Sequence, residues 1–266
     1  MTRVEFAKQL LRPRTYLLLG IIGAFPALLT LLFRFGNPGE HAGAESFIAL
    51  APNSGPNMAV AILEHVSDVI LPFMGVLLAG SIVAEEASWG SLGYLLVRPV
   101  TRRRLLATKL LVVAVLILAG AAVTTLLAVV DGLIAFGWRP LETPSNTTLP
   151  AETALARMAI AAPYMAWSLA AIMSAGFLIS SLSNSPLYGA AAAFGLAAIS
   201  QILDSLSVIG EVRNILPTHY WKAWEDLFAI PSDWNVLLMG LAVQLPYVIV
   251  LLALAFWLFH RRDIST

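Results

Sequence analysis

The chain contains no cysteine, which excludes disulfides, thiol catalysis and cysteine-based zinc sites and leaves the redox compartment unreadable from this residue. Charge is scarce too. Only 12% of its 266 residues are Asp, Glu, Lys or Arg, against about 25% in ordinary soluble proteins, and the only lysines are Lys8, Lys109 and Lys222. None of them closes a Gly-x-x-x-x-Gly-Lys-Ser/Thr loop, whose backbone amides and lysine cradle phosphates, so the chain has no P-loop with which to hydrolyse ATP. The histidines, His41, His65, His219 and His260, are scattered without the spacing of a metal centre. No Gly-x-Ser-x-Gly elbow offers a hydrolase nucleophile. Bases and acids balance at 16 each, and the bases sit in short clusters beside apolar runs. That is the pattern of membrane flanks and not of a phosphate-tracking surface, so nucleic acid is discounted as a partner.

What fills the chain instead is oil. It is 59% hydrophobic with a mean hydropathy of +0.81, and a hydrocarbon core about 30 Å thick is crossed by about 20 apolar helical residues. Six stretches qualify: Tyr16 to Phe33, Val66 to Ala84, Leu110 to Val130, Met158 to Leu182, Pro186 to Leu203 and Val236 to Phe259. The first exceeds the h-region of a signal peptide and no Ala-x-Ala follows it directly, so it reads as a span. Residues 1–266 form one membrane domain. One side of the layout collects Arg3, Lys8, Arg12, Arg14, Arg98, Arg102, Arg103, Arg104, Lys109, Arg261 and Arg262; the other holds Arg34, Arg139, Arg157, Arg213 and Lys222. The positive-inside bias then places both termini in the cytoplasm of a multi-pass cell-membrane protein. Before the first span, Val4, Phe6, Ala7, Leu10 and Leu11 fall on one helical arc and Glu5, Lys8, Gln9 and Arg12 on the other, as in an interfacial helix lying on membrane lipid. Ser185 and Pro186 stand where a cap and a first helical residue belong, and Pro26, Pro72, Pro163 and Pro246 interrupt four spans.

Ionisable groups deep inside the spans would mark an ion relay, and they are almost absent. Asp131 and Asp204 sit at span ends, and Gln201 and Gln244 are the long polar side chains well inside. Glu64, His65 and Asp68, near the outer end of the second span, are the nearest approach to an ion, substrate or catalytic cluster. Energy for any uphill movement must come from elsewhere.

The connection EEASWGSLGYLLVRPVTRRRLLATK, residues 85 to 109, stands apart from the oil around it. After Glu85 and Glu86, Trp89, Leu92 and Leu96 share a helical face. Pro99 disfavours helix at Arg98, and Thr101 can cap a new helix. Arg102, Arg103 and Arg104 then occupy its first turn, where the macrodipole disfavours each exposed cation by about 0.3 to 1 kcal/mol. Anionic lipid headgroups, the positive-inside bias or an acidic partner would offset that. The order Glu-Glu, Gly90-Ser91-Leu92, Leu95-Leu96, Pro99-Val100-Thr101-Arg102 and Lys109 resembles the same connection in permease subunits of the ABC-2 exporter family, with Ser91 for the usual Thr and Thr108 for the usual Gly before Lys109.

The resemblance implies an all-α membrane protein of six spans with an amino-terminal amphipathic interfacial helix, a cytoplasmic coupling helix between spans 2 and 3 and short extracellular re-entrant helices between spans 5 and 6. It implies that Glu85 to Val97 docks into a separate cytoplasmic P-loop ATPase, which carries the ATP and Mg; this chain holds no cofactor or metal and is not itself an enzyme. Matched onto the sequence, Trp89, Gly90, Ser91, Leu92 and Leu96 make the contact, and Glu85, Glu86, Arg102, Arg103 and Arg104 set its electrostatics. A second permease subunit is implied, with the pathway between the two copies. In the fifth span Gly189 with Ala193 and Ala191 with Gly195 make small-xxx-small pairs suited to close helix approach, within one subunit or between two. Pro217, His219, Tyr220 and Trp221 fall where the family places its outer gate, and an aromatic belt has the same composition. The expected cargo is hydrophobic or amphipathic: a lipid, drug or peptide. An ion-coupled or passive carrier and an intramembrane enzyme are the alternatives.

Overall fold

A computed structural model of the protein describes residues 2–36, 47–88 and 101–262. Among them are six helices long and apolar enough to cross a membrane: Pro13–Phe35, Gly55–Ser81, Arg102–Phe136, Ala151–Leu182, Pro186–Ser205 and Trp234–Arg261, spans 1 to 6 below. A short helix, Thr2–Leu10, precedes them. Two-residue strands β1 (Leu141–Glu142) and β2 (Thr148–Leu149) pair antiparallel between spans 3 and 4.

Local chemistry moves two span starts ahead of the hydropathy. Span 2 begins at Gly55 and not at Val66, because Ser54 accepts from the Asn57 amide as a cap and Pro56 lies in the first turn. Glu64 therefore lies about 13 Å inside the helix at 1.5 Å per residue, not near its outer end. Span 3 begins at Arg102, capped by Thr101 Oγ1 accepting from the Arg104 amide at 3.4 Å. The Ser185 cap does not form. Its hydroxyl makes no cap bond; instead Ser183 Oγ accepts from the Ser185 amide at 2.9 Å and closes the tight turn before Pro186.

Span 2 widens into a π turn at Val66–Ile70. Pro72 has no N–H for the Asp68 carbonyl, and the Leu71 amide bonds back to Val66, one residue further than an α-helix would. Span 4 is interrupted at Leu169, between helical runs Ala151–Ser168 and Ala170–Leu182.

The bundle centres on spans 2 and 4, which are mostly buried, while spans 1, 5 and 6 turn most of their apolar surface outward. Successive spans run in opposite directions. At one end Arg34 of span 1 donates to the Ala135 carbonyl of span 3, the Gly55 amide donates to Gly137 O at 3.0 Å, and Asn57 exchanges two hydrogen bonds with the Glu142 backbone in β1. At the opposite end Ser180 Oγ of span 4 accepts from the Val83 and Ala84 amides just past span 2, at 3.2 and 3.1 Å, and Arg262 donates to the Ser181 carbonyl at 2.6 Å. The first set marks the outer end and the second the inner end in the orientation the charge bias assigns.

Candidate functional site: an inner ionic joint and an outer tucked segment

At the inner end the polar arc of the amino-terminal helix faces the protein. Glu5, Gln9 and Arg12 are buried, whereas Val4 and Leu11 are 72% and 70% exposed. This inverts the usual environment of a polar face, and the partners explain why. Lys109, about two turns into span 3 and fully buried, donates to Glu5 at 3.0 Å and to the Ile82 carbonyl at 3.1 Å, and pairs with Glu86 at 2.9 Å. Glu86 is also fully buried and takes Lys8 at 2.5 Å. Glu85 pairs with Arg12 and Arg14. Arg14 also donates to Ser81 Oγ and, at 2.7 Å, to Gln9 Oε1. Three carboxylates thus meet four cations in one buried knot joining the amino-terminal helix, span 1, the end of span 2 and the start of span 3. Burial works against the charge on Glu5, but Lys109, Gln9 and Lys8 together outweigh it and hold the carboxyl below its ordinary value.

Arg102 also has a structural partner. Its guanidinium donates to the carbonyls of Phe259, His260 and Arg262 at 3.2, 3.0 and 2.7 Å. Those oxygens lie at the C-terminus of span 6, where the helix carries the negative end of its macrodipole and its last carbonyls run short of α-helical donors. The cost of a cation in the first turn of span 3 is offset by the neighbouring helix end. Arg103 and Arg104 are exposed. Of the remaining docking candidates, Trp89, Gly90, Ser91, Leu92 and Leu96 lie outside the described residues, between a knot that fixes residue 86 and a clasp that fixes residue 102.

The small residues of span 5 divide between two faces. Gly189 lies so close to Gly80 of span 2 that a Cβ on either would strike the other's backbone, and a Cβ on Gly176 would come within 3.0 Å of Ala193 Cβ. That stripe packs inside the subunit. Ala191 is exposed, and a Cβ on Gly195 would meet nothing; they share the outward side with Leu187, Tyr188, Phe194, Ile199 and Ile202.

Beyond span 5 the chain turns back into the bundle. Tyr247 Oη donates to the Ile215 carbonyl at 2.7 Å and Gln244 Nε2 to the Pro217 carbonyl at 2.8 Å. Gln244 and Tyr247 lie about 15 and 20 Å along span 6 from Trp234 at 1.5 Å per residue, so residues 215–217 sit far below the start of that helix. Gln244 has a second task, because its Oε1 accepts from the Ala171 amide at 3.0 Å just after the break in span 4. Trp221 Nε1 donates at 2.8 Å to Ser168 O on the other side of that break. Backbone groups freed inside an apolar bundle are thereby satisfied by the segment that fills it. Thr218 meets Ser200 at 2.6 Å, His219 meets Asp204 at 2.6 Å, and the Tyr220 carbonyl accepts from Tyr164 at 2.7 Å.

Glu64 and Asp68 come together on a partner that hydropathy did not single out. Lys222, carried by the same 5–6 connection, lies 2.7 Å from Asp68 and 3.7 Å from Glu64. His65 takes no part: its Nδ1 bonds back to Ala61 O at 3.0 Å and its ring lies beside Phe25. Glu225 stands at the same place, with its carboxyl pushed up to about 7 by burial first and by Glu64 next, while Lys222 pulls the other way. Sequence reading missed Glu225 and the buried role of Lys109, since a charge at a span end looks the same whether it faces water or a buried partner.

The ABC-2 family transporter protein model matches residues 2–189, more than half of the 266. The chain belongs to the ABC-2 transporter family. It is therefore a membrane component of the transporters of that family, and the ionic joint lies wholly within the matched residues. The match ends inside span 5, so this ABC-2 protein's tucked outer segment and span 6 lie beyond it. No curated protein matches the chain.

Proposed function

We propose that this chain is the permease subunit of an ATP-binding-cassette exporter, moving a hydrophobic or amphipathic substrate such as a lipid, drug or peptide with ATP hydrolysed by a separate cytoplasmic subunit. The observation that carries the reading is the joint around Glu86 and Lys109. The chain belongs to a transporter family and has no ATP-hydrolysing motif. Its connection between spans 2 and 3 is bolted at Glu85 and Glu86 to three other elements and at Arg102 to the end of span 6. Force applied to this connection by a docked ATPase would enter the bundle at residues 86 and 102 and so reach spans 1, 2, 3 and 6. Trp89, Leu92 and Leu96 are the proposed apolar contacts. The exposed Arg103 and Arg104 supply charge to the dock, while Glu85, Glu86 and Arg102 hold its two ends.

Two copies would form the working unit, with spans 1 and 5 facing the pathway. The outward side of span 5, from Leu187 to Ile202 and including Ala191 and Gly195, is the surface offered to the second copy. The tucked segment with Pro217, His219, Tyr220 and Trp221 would close the outer end. Purification from native membrane in mild detergent should bring down a soluble P-loop ATPase, and Leu92→Asp or Arg103→Glu should release it. Transport by the chain reconstituted alone would overturn the proposal in favour of an autonomous carrier.

A further inference from the structure

Among the described residues, the cluster at Lys222 holds more acid than base. Lys222 faces Asp68 at 2.7 Å and Glu64 at 3.7 Å, and Glu225 acts on the same group electrostatically. A cavity of about 290 Å³ beside them is lined by Glu64, Glu225, Asp226, Phe47, Thr143 and Ser145, among others. One oxygen of Glu64 and one of Glu225 are buried with no hydrogen-bond partner among the described residues. A buried carboxylate oxygen without a donor is costly when ionised and much less so when the group is neutral. The described residues contain no cluster of three or more metal-ligating side chains. We infer that this is a proton-binding latch: Glu225 holds a proton at the cavity beside Glu64 while Lys222 ties the 5–6 connection to the π turn of span 2, and loss of that proton loosens the tie.

The surrounding charges leave this proton as the variable. Span 2 contributes Glu64 and Asp68, and the connection itself contributes Lys222, Glu225 and Asp226. Span 4 brings Arg157, whose guanidinium is committed to the carbonyls of Leu227 and Ala229, while its Glu152 lines a different cavity beside Trp138. Asp233 at the start of span 6 acts on Asp226. Burial opposes the charge on Lys222, but Asp68, Glu225 and Glu64 hold its ammonium above its ordinary value, so it stays charged while the carboxyl titrates. Glu225 sits near 7, so the proton leaves across a range a cell exterior visits.

The inference goes beyond the transport reading, and its test needs no transport. The chain has no cysteine, so a single thiol reports without background. Ala229→Cys at the cavity wall, in the purified full chain in phosphatidylcholine nanodiscs, is reacted with a neutral maleimide from pH 6 to 8. Its rate is divided by that of Val208→Cys, a site 95% exposed, which removes the thiol's own ionisation. The ratio should rise several-fold with a midpoint near 7. Adding Glu225→Gln should flatten it, and Glu64→Gln, which removes a negative neighbour, should move the midpoint to lower pH. A flat ratio in the parent, or an unchanged rise in Glu225→Gln, overturns the latch. Should Glu225→Gln not fold, an unshifted midpoint in Glu64→Gln overturns it equally.

Discussion

At its inner end span 2 hands Glu85 and Glu86 to a knot in which Lys8, Arg12, Arg14 and Lys109 outnumber the acids. Nearer the outer surface it offers Glu64 and Asp68 to a single cation among the described residues, Lys222, with Glu225 added to the acid side. The same residue types produce different devices because stoichiometry and burial differ. Where cations outnumber acids in the interior, the carboxylates are pinned between several partners, and Lys109, Gln9 and Lys8 hold the Glu5 carboxyl below its ordinary value against the opposing effect of burial. Where acids outnumber the cation, one carboxyl is driven toward neutrality, and the joint responds to pH.

The hardest blow to that contrast is the loss of one inner partner. Lys109→Met leaves fully buried Glu86 without one of its two lysines and Glu5 without its main counter-charge. Breaking a buried pair by removing one member costs roughly 3 to 5 kcal/mol, so the variant should unfold at clearly lower temperature or fail to purify as a monodisperse species. Adding Glu86→Gln should recover part of the loss, because the buried charge goes with its partner. If Lys109→Met melts with the parent, the knot contributes no stability and is not a rigid joint.

Next in size is the response of the two ends to pH. Glu5 has a depressed carboxyl, so its contribution is present above its ordinary value of 4.5 and is lost as pH falls through the lower folded value. Glu225 is raised, so its contribution is present below 4.5 and is lost as pH rises through about 7. Thermal unfolding of Glu225→Gln should match the parent near pH 5 and exceed it at pH 8. Equal melting at both would place Glu225 in water rather than in the cluster.

The two faces of span 5 give a third comparison. Gly189→Leu drives a side chain into the backbone of Gly80, and overpacking of this kind typically costs about 1 to 3 kcal/mol. Gly195→Leu enters open space and should leave the melting temperature of the single subunit within the scatter of surface substitutions, about 0.5 kcal/mol. If the outward face meets a second copy, Gly195→Leu should instead shift the dimer to monomer in mass photometry.

How much of this was legible in the sequence follows from what a one-dimensional pattern carries. The six spans were, because about 20 apolar residues in a row have few other uses. Their starts were not: Ser54 and Pro56 set the beginning of span 2 by hydrogen bonding and backbone angle, which hydropathy ignores. The polar arc of Glu5, Gln9 and Arg12 is visible in the sequence, but which medium it faces depends on Lys109, 104 residues along the chain from Glu5, and on Glu86, 78 from Lys8, both adjacent to it in space. Gln244 stands out in the sequence as a long polar side chain in an apolar span. Its partners at Ala171 and Pro217 depend on a break in span 4 and a fold-back after span 5, and neither has a periodicity to betray it.

Adjacent arginines supply the finest test. Arg102 and Arg103 are indistinguishable by composition, yet Arg102 closes on three carbonyls at the end of span 6 whereas Arg103 is exposed. A cation at a helix C-terminus is worth about 0.3 to 1 kcal/mol, rising to about 2 in partly buried geometry. Arg102→Gln should therefore lower the melting temperature by a small but measurable step, and Arg103→Gln should not. Binding of the ATPase should sort them the other way. Arg103→Glu should weaken it at unchanged melting temperature, because a docking charge acts on the partner and not on the fold, whereas Arg102→Gln should loosen docking only as far as it frees residues 87–101 from span 6. Were both arginines to affect stability alone, the basic run would serve only to anchor the helix ends, and the dock would rest on Trp89, Leu92 and Leu96.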